Sequence, residues 1–265
     1  MKDLLIRTIT GITLVVLVTG SILLGPVPLL LLVIAIYLLA ISELVNLQSP
    51  VSRTASIIVA LAGSVLLLII YLVIQYQLHP LWFLLPAAIW LAGFLAACTP
   101  GFCLLALCWI TLPLALFYVL GWLGEDSTYD PLLPLSVIAL VWINDTFAYL
   151  TGTWIGKHQM TPVRSPGKTW EGFVGGLVFT MMGGWLTHLI TGTYQLPLWF
   201  LFSLIVTSFG LWGDLFESRL KRERDLKNTG RLLPGHGGIL DRFDSLFFVT
   251  PAVFMVILFI RFFSG

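Results

Sequence analysis

The chain has 265 residues, of which 58% are hydrophobic and only 10% charged, and its formal net charge is +1. Soluble domains of this length carry roughly a quarter charged residues, so the composition excludes a water-coated globular surface and fits a chain solvated by lipid. The charge balance gives no sign of a nucleic-acid partner, and none is expected.

A spanning helix needs roughly 20 mostly apolar residues. On that criterion the sequence holds about nine spans. They run approximately from Ile6 to Leu24, Val27 to Leu44, Ser56 to Gln75, Leu81 to Ala97, and Phe102 to Leu123. The series continues from Leu132 to Gly152, Phe173 to Ile190, Leu198 to Leu215, and Leu246 to Phe263. The expected fold is all-α, a polytopic transmembrane bundle forming a single membrane-embedded domain over residues 1–265. Within it, residues 1–130 are mainly spans, while 131–265 carry two polar connections, 153–172 and 216–245. The first apolar run follows Lys2 and Arg7 but has no small-x-small cleavage site after it, so it reads as a helix rather than a signal peptide. Cys98, Cys103 and Cys108 lack paired spacing and neighbouring histidines, and read as packing residues rather than zinc ligands or a disulfide framework.

Basic residues test the span count independently, because they collect in cytoplasmic loops. With the N-terminus inside, Lys2, Arg7, Arg53, Lys157, Arg164, Lys168 and the basic run from Arg219 to Arg242 all fall on the cytoplasmic side. Of the 14 basic residues only Arg261 falls opposite, whereas Glu125, Asp126 and Asp130 lie on the far side. The expected topology is an odd number of spans, with the C-terminus outside.

Two connections are too polar to be plain linkers. In the first, Asn144 and Asp145 sit inside an apolar run. A charged side chain in a spanning segment costs roughly 2.5–3.5 kcal/mol on insertion scales and normally faces a cavity, a partner or an ion. The pair therefore reads either as an interhelical hydrogen bond or as a ligand to metal or nucleotide. Gly152, Gly156 and Gly167 with Lys157 and Lys168 give a flexible cationic stretch in which backbone N–H groups can approach a phosphate. It is no Walker loop, because the G-x-x-x-x-G-K-[ST] string is absent. Glu171 opens the next helix, where capping and catalytic roles are equally open.

In the second connection Asp214 and Glu217 stand three apart at the end of a helix and so share a face. Asp241 and Asp244 repeat that spacing before the last span, with Arg242 between them. Seven basic residues and the turn Pro234-Gly235-His236-Gly237-Gly238 also lie in this connection. Carboxylates beside a cationic, glycine-rich loop point to oxygen-ligated Mg2+ and bound phosphate. The alternative is a charge run that binds anionic lipid heads, which would need neither the four acids nor the glycine turn. His236 could act as a general base, but a phosphate nucleophile is already anionic, so phosphate binding is the preferred role.

The stretch from Ser218 to Asp244 resembles the signature of the phosphatidate cytidylyltransferases, or CDP-diacylglycerol synthases. Ser218, Leu220, Lys221 and Arg222 match its opening, and Lys227 follows at the expected distance. Gly230, Leu233, Pro234, His236, Gly237 and Gly238 match its middle, and Asp241, Arg242, Phe243 and Asp244 its close. The segments at 144–149 and 165–172 are also similar to that family. One position departs: Asn228 stands where the family pattern has Asp.

The resemblance implies a multi-pass protein of a bacterial-type inner membrane with its active site on the cytoplasmic side. It implies Mg2+-dependent transfer of a cytidylyl group from CTP to phosphatidic acid, giving CDP-diacylglycerol and pyrophosphate in phospholipid biosynthesis. A second cation is left open. So is the homodimer formed by family members, which the sequence neither supports nor excludes. Carried onto this chain, Asp145, Asp214, Asp241 and Asp244 become metal ligands. Lys221, Arg222, Lys227, His236 and Arg242 join the carboxylates Asp214, Asp241 and Asp244 in the catalytic set. Asn144, Lys168, Glu171, Ser218, Gly237 and Gly238 become substrate-binding residues. A CTP-dependent polyprenol kinase or another lipid cytidylyltransferase would share this logic. A membrane transporter would share the spans and the acids, but here the acids gather towards one side and no repeated half is seen. Because Asn228 brings no charge, Asn228→Asp is expected to leave the transfer rate within about threefold of the original; a loss beyond tenfold in the same assay would show that this loop has diverged from its relatives.

Overall fold

The computed structural model describes residues 2–48, 51–96, 100–123, 128–161, 165–226, 228–230, 232, 234–235 and 237–264. It is built almost wholly of helices, and the chain divides into two compact units. Unit 1 comprises Met1–Pro131 and Leu226–Arg242, and unit 2 comprises Leu132–Asp225 and Phe243–Gly265.

Unit 1 holds α1 (Lys2–Leu23), α2 (Pro26–Gln48), α3 (Arg53–Tyr76), a short 3-10 turn (Pro80–Phe83) and α4 (Leu84–Ala96). A broken helix follows, α5 (Pro100–Leu105) and α6 (Leu112–Leu120), joined by a π-helical stretch, Ala106–Thr111. Pro113 cannot supply the N–H that would meet the carbonyl of Trp109, and the ladder widens just before it. The Thr111 hydroxyl donates to the Ala106 carbonyl at 2.7 Å across that stretch. The core of unit 1 gathers on α2, where Leu29, Val33, Ile36, Tyr37, Ala40, Ile41 and Leu44 are buried. Tyr37 donates to the carbonyl of Val59 at 2.6 Å, and its ring lies where any side chain at Gly63 would stand.

Unit 2 holds α7 (Leu132–Ile155), a hairpin of β1 (Gln159–Thr161) and β2 (Ser165–Thr169), α8 (Trp170–Thr191), α9 (Leu196–Arg222) and most of α10 (Leu240–Ser264). Small residues bring α7 and α8 together: a Cβ at Gly172 would lie 2.7 Å from the Ala148 carbonyl, and one at Gly176 would lie 2.9 Å from Asn144 Oδ1. This small-xxx-small spacing lets backbones approach closely where no hydrophobic force drives association. Phe147 and Phe179 stack across the same seam with centroids 3.8 Å apart. Ser203 on α9 donates to the Thr180 carbonyl of α8 at 3.0 Å, and Ser245 on α10 donates to the Gly210 carbonyl of α9 at 3.3 Å.

Among the described residues eight helices are long and apolar enough to cross a membrane, and a further apolar helix, Pro80–Leu95, is shorter. Large apolar side chains such as Ile12, Val16, Leu61, Leu95, Ile190 and Phe262 face outward, as a lipid-solvated surface requires. The chain is a polytopic membrane bundle, as its composition indicated.

Several boundaries differ from the expected ones. Helix α9 continues to Arg222 instead of ending near Leu215, and α10 begins at Leu240 instead of Leu246. Hydropathy falls where charges begin, yet the helices persist. The last turn of α9 carries Arg219, Lys221 and Arg222, which suit its C-terminal dipole, and Lys221 pairs with Glu217 four residues back. The connection expected to be flexible between α7 and α8 is the β1–β2 hairpin, paired antiparallel. Cys103 is disulfide-bonded, against the expectation of three packing thiols, and Cys108 is free and exposed.

The α7–α8 seam makes a direct prediction. Gly176→Ala should destabilise the protein by about 1–3 kcal/mol through overpacking. Gly20→Ala, where nothing stands within 4 Å of the added carbon, should leave thermal unfolding in detergent unchanged or raise its midpoint.

Candidate active site

Asp214 and Glu217 lie one turn apart on α9, and Asp244 stands in the first turns of α10. One carboxylate oxygen from each lies within 4.8 Å of the other two. Like charges at this spacing repel by roughly 3 kcal/mol per pair at an effective dielectric of about 20. The grouping therefore needs cations close by. Lys168, from β2, places its ammonium 2.5 Å from Asp214 Oδ2, and Lys221 stands 2.6 Å from Glu217 Oε2. Asp145 on α7 adds to the negative field at Asp244.

Burial sharpens the requirement. Glu217 is 1% and Asp244 8% exposed, so water screens this charge poorly. Asp244 Oδ1 accepts the N–H of Ser245 at 2.7 Å, and the Ser218 hydroxyl donates to Asp214 Oδ1 at 3.4 Å. Close packing holds the cluster in place: a side chain at Gly213 would run into the Asp244 carbonyl. Three carboxylates with no sulfur or imidazole among them form a hard-oxygen donor set, the kind that suits Mg2+, Mn2+ or Ca2+ rather than Zn2+.

Asn144 is buried, and its Nδ2 donates to Asp145 Oδ1 at 3.3 Å, while its Oδ1 makes no hydrogen bond. The amide thus orients Asp145. The Glu171 carboxylate accepts the N–H groups of Lys157 at 3.1 Å and His158 at 3.2 Å, and meets His158 Nδ1 at 2.6 Å. Its neighbours tie the end of α7 to the start of α8, and the Thr169 side chain caps α8 by accepting from Gly172 N. This geometry makes Glu171 a brace for the hairpin bearing Lys168, a role beside the capping and catalytic ones that the sequence left open.

A second polar constellation lies in unit 1. Asp241 Oδ2 accepts from the N–H of Thr229 at 3.0 Å, the Thr229 hydroxyl at 3.0 Å and the N–H of Gly238 at 2.8 Å. Glu43 of α2, which the sequence reading left without a role, is buried against the same segment. The Asp241 carboxylate is therefore engaged in shaping the glycine-rich loop. Among the described residues the grouping within reach of one ion is Asp214, Glu217 and Asp244, Glu217 being a carboxylate the sequence did not single out as a ligand. Gly235 and Gly237 have φ of +76° and +89°, a left-handed backbone that explains glycine there. Arg222 and Arg242 are exposed, the former in the last turn of α9. Lys227 and His236, with Arg164 and Arg231, lie outside the described residues.

Known proteins resemble this chain over nearly its whole length. A model of the cytidylyltransferase family matches residues 5–260. The phosphatidate cytidylyltransferase of Staphylococcus haemolyticus is 32% identical over 256 residues, covering 93% of this chain and 96% of that protein. The proteins of the same name from Staphylococcus saprophyticus and Staphylococcus aureus are 42% identical over 153 residues, covering 57% of this chain. Over that match the chain spans 56% of the length of each of those two relatives.

Proposed function

Because the chain belongs to the cytidylyltransferase family, we propose that it transfers the cytidylyl group of CTP to phosphatidic acid, releasing pyrophosphate. The observation that carries this reading beyond family membership is the compact carboxylate trio Asp214, Glu217 and Asp244, with Lys168 and Lys221 against it. Nucleotidyl transfer between two anions asks a protein for positioning and charge neutralisation rather than covalent chemistry.

In the proposed reaction an oxygen of the phosphatidate headgroup attacks the α-phosphorus of CTP. One P–O bond forms, the bond to the bridging oxygen of the β-phosphate breaks, and the electron pair leaves with pyrophosphate. The attacking phosphate is anionic at neutral pH, so no residue has to remove a proton from it. Asp214, Glu217 and Asp244 would hold Mg2+, which when bound supplies charge neutralisation at phosphate oxygens. Lys168 is held by Asp214 on the paired strand β2, so its ammonium is positioned in advance for a phosphate group. Asp145 is placed to tune the field at Asp244, and Asn144 orients it.

The lipid substrate also fits a membrane-embedded chain, because its acyl chains can stay in hydrocarbon throughout. In this reading the N-terminus, the β1–β2 hairpin and the 216–245 connection face the cytoplasm of a bacterial inner membrane. The distribution of basic residues supports that orientation.

The test is transfer of label from radioactive CTP to phosphatidic acid by purified protein. Label should appear in lipid with Mg2+ and vanish with a chelator. Asp244→Asn and Glu217→Gln should each lower the rate at least 100-fold while the protein still inserts in membranes. No lipid-linked label in any divalent cation, together with uptake into sealed vesicles, would favour a transporter instead.

A further inference from the structure

Glu43 is a buried carboxylate that the reaction above does not use. It sits on α2 at 2% exposure, far in sequence from the polar connections. Its Oε1 accepts the N–H of Ile239 at 2.9 Å, and its Oε2 accepts the N–H of Leu240 at 3.0 Å and the Thr229 hydroxyl at 2.8 Å. The two N–H groups begin α10, where no earlier turn of the helix can satisfy them and a negative charge suits the dipole.

The loop is shaped to close over this carboxylate. A Cβ at Gly230 or at Gly238 would collide with the Glu43 side chain. Thr229 Oγ1 lies between Glu43 Oε2 and Asp241 Oδ2, at 2.8 and 3.0 Å, and its single proton is shared between them. Asp241 in turn grips Thr229 and Gly238 through their N–H groups. Two carboxylates thus clamp the segment on both sides of the turn that contains Gly235 and Gly237.

We infer that Glu43 is a positioning residue for the glycine-rich loop, holding Thr229 and the start of α10 so that the Gly237–Gly238 backbone stands in one place to meet an anionic substrate group. This deepens the proposed cytidylyl transfer and rests on it for its catalytic consequence. The residue need not touch substrate. Replacing one carboxylate oxygen by an amide NH2 sets a donor against buried donors, so at least one of the three loses its acceptor, which favours local opening of the loop over its closed form.

The test uses the full chain in detergent, comparing Glu43→Gln, Thr229→Val and Thr229→Ser. Two quantities are measured: amide hydrogen exchange of peptides covering 228–241, and Mg2+-dependent transfer of labelled CMP to phosphatidic acid. Glu43→Gln should speed exchange in that segment at least tenfold, leave α7–α9 peptides unchanged, and lower kcat at least tenfold. Thr229→Val should do the same to a smaller degree, while Thr229→Ser, which keeps the hydroxyl, retains slow exchange and most of the rate. A space-filling role would be met better by Val, which has the shape of Thr, than by the smaller Ser, so a Val variant that does as well as or better than the Ser variant overturns the inference. Faster exchange with an unchanged rate overturns it as well. Should Glu43→Gln fail to fold, the Thr229 pair decides. If the unaltered protein transfers no CMP, the proposed function is what has failed, and the exchange measurement alone then supports or overturns the loop-positioning role.

Discussion

A carboxylate set among spanning helices has no water to lean on, so each one must find a cation, a donor or an ion. The structure of this chain is organised around that constraint. Asp214 answers it with Lys168, and Glu217 with Lys221. Glu43 and Asp241 answer it with backbone N–H groups and a shared hydroxyl. The consequence is that polar chemistry is confined to a few places, each fixed by helices whose other faces are apolar.

The two kinds of answer suit different work. Lysine–carboxylate pairs are charge-balanced yet exchangeable, because an incoming phosphate can take over the ammonium while a divalent ion takes over the carboxylate. Carboxylates bound by backbone N–H groups are committed to structure, because moving them exposes several donors at once. Hence Asp214 and Glu217 fit the reacting machinery, Asp244 joins them by its place in the same oxygen grouping rather than by a lysine, and Glu43 and Asp241 fit the support of a loop.

Much of this was legible in the sequence. Hydropathy alone identified the bundle, and the spacing of Asp214 with Glu217 put both on one face before any coordinates. The resemblance at 218–244 pointed to the family that the match over residues 5–260 establishes. What sequence spacing could not separate was Asp241 from Glu217: both sit in three-residue acid pairs, and only the hydrogen bonds to Thr229 and Gly238 show how Asp241 is engaged. Glu43 was missed although its signal was present, since the cost argument applied to Asp145 holds equally for a lone acid in the second apolar run. The ends of α9 and α10 were misjudged because hydropathy reports where lipid ends, whereas helices continue until capping and charge patterns stop them.

The central claim is that Asp214, Glu217 and Asp244 together hold a divalent cation. Anomalous X-ray scattering from crystals grown with Mn2+ tests it most directly. The account predicts a single-shell manganese peak about 2.0–2.3 Å from an oxygen of each of the three carboxylates. Manganese bound elsewhere, with Asp214 and Glu217 still paired to Lys168 and Lys221 and no metal at Asp244, would contradict it.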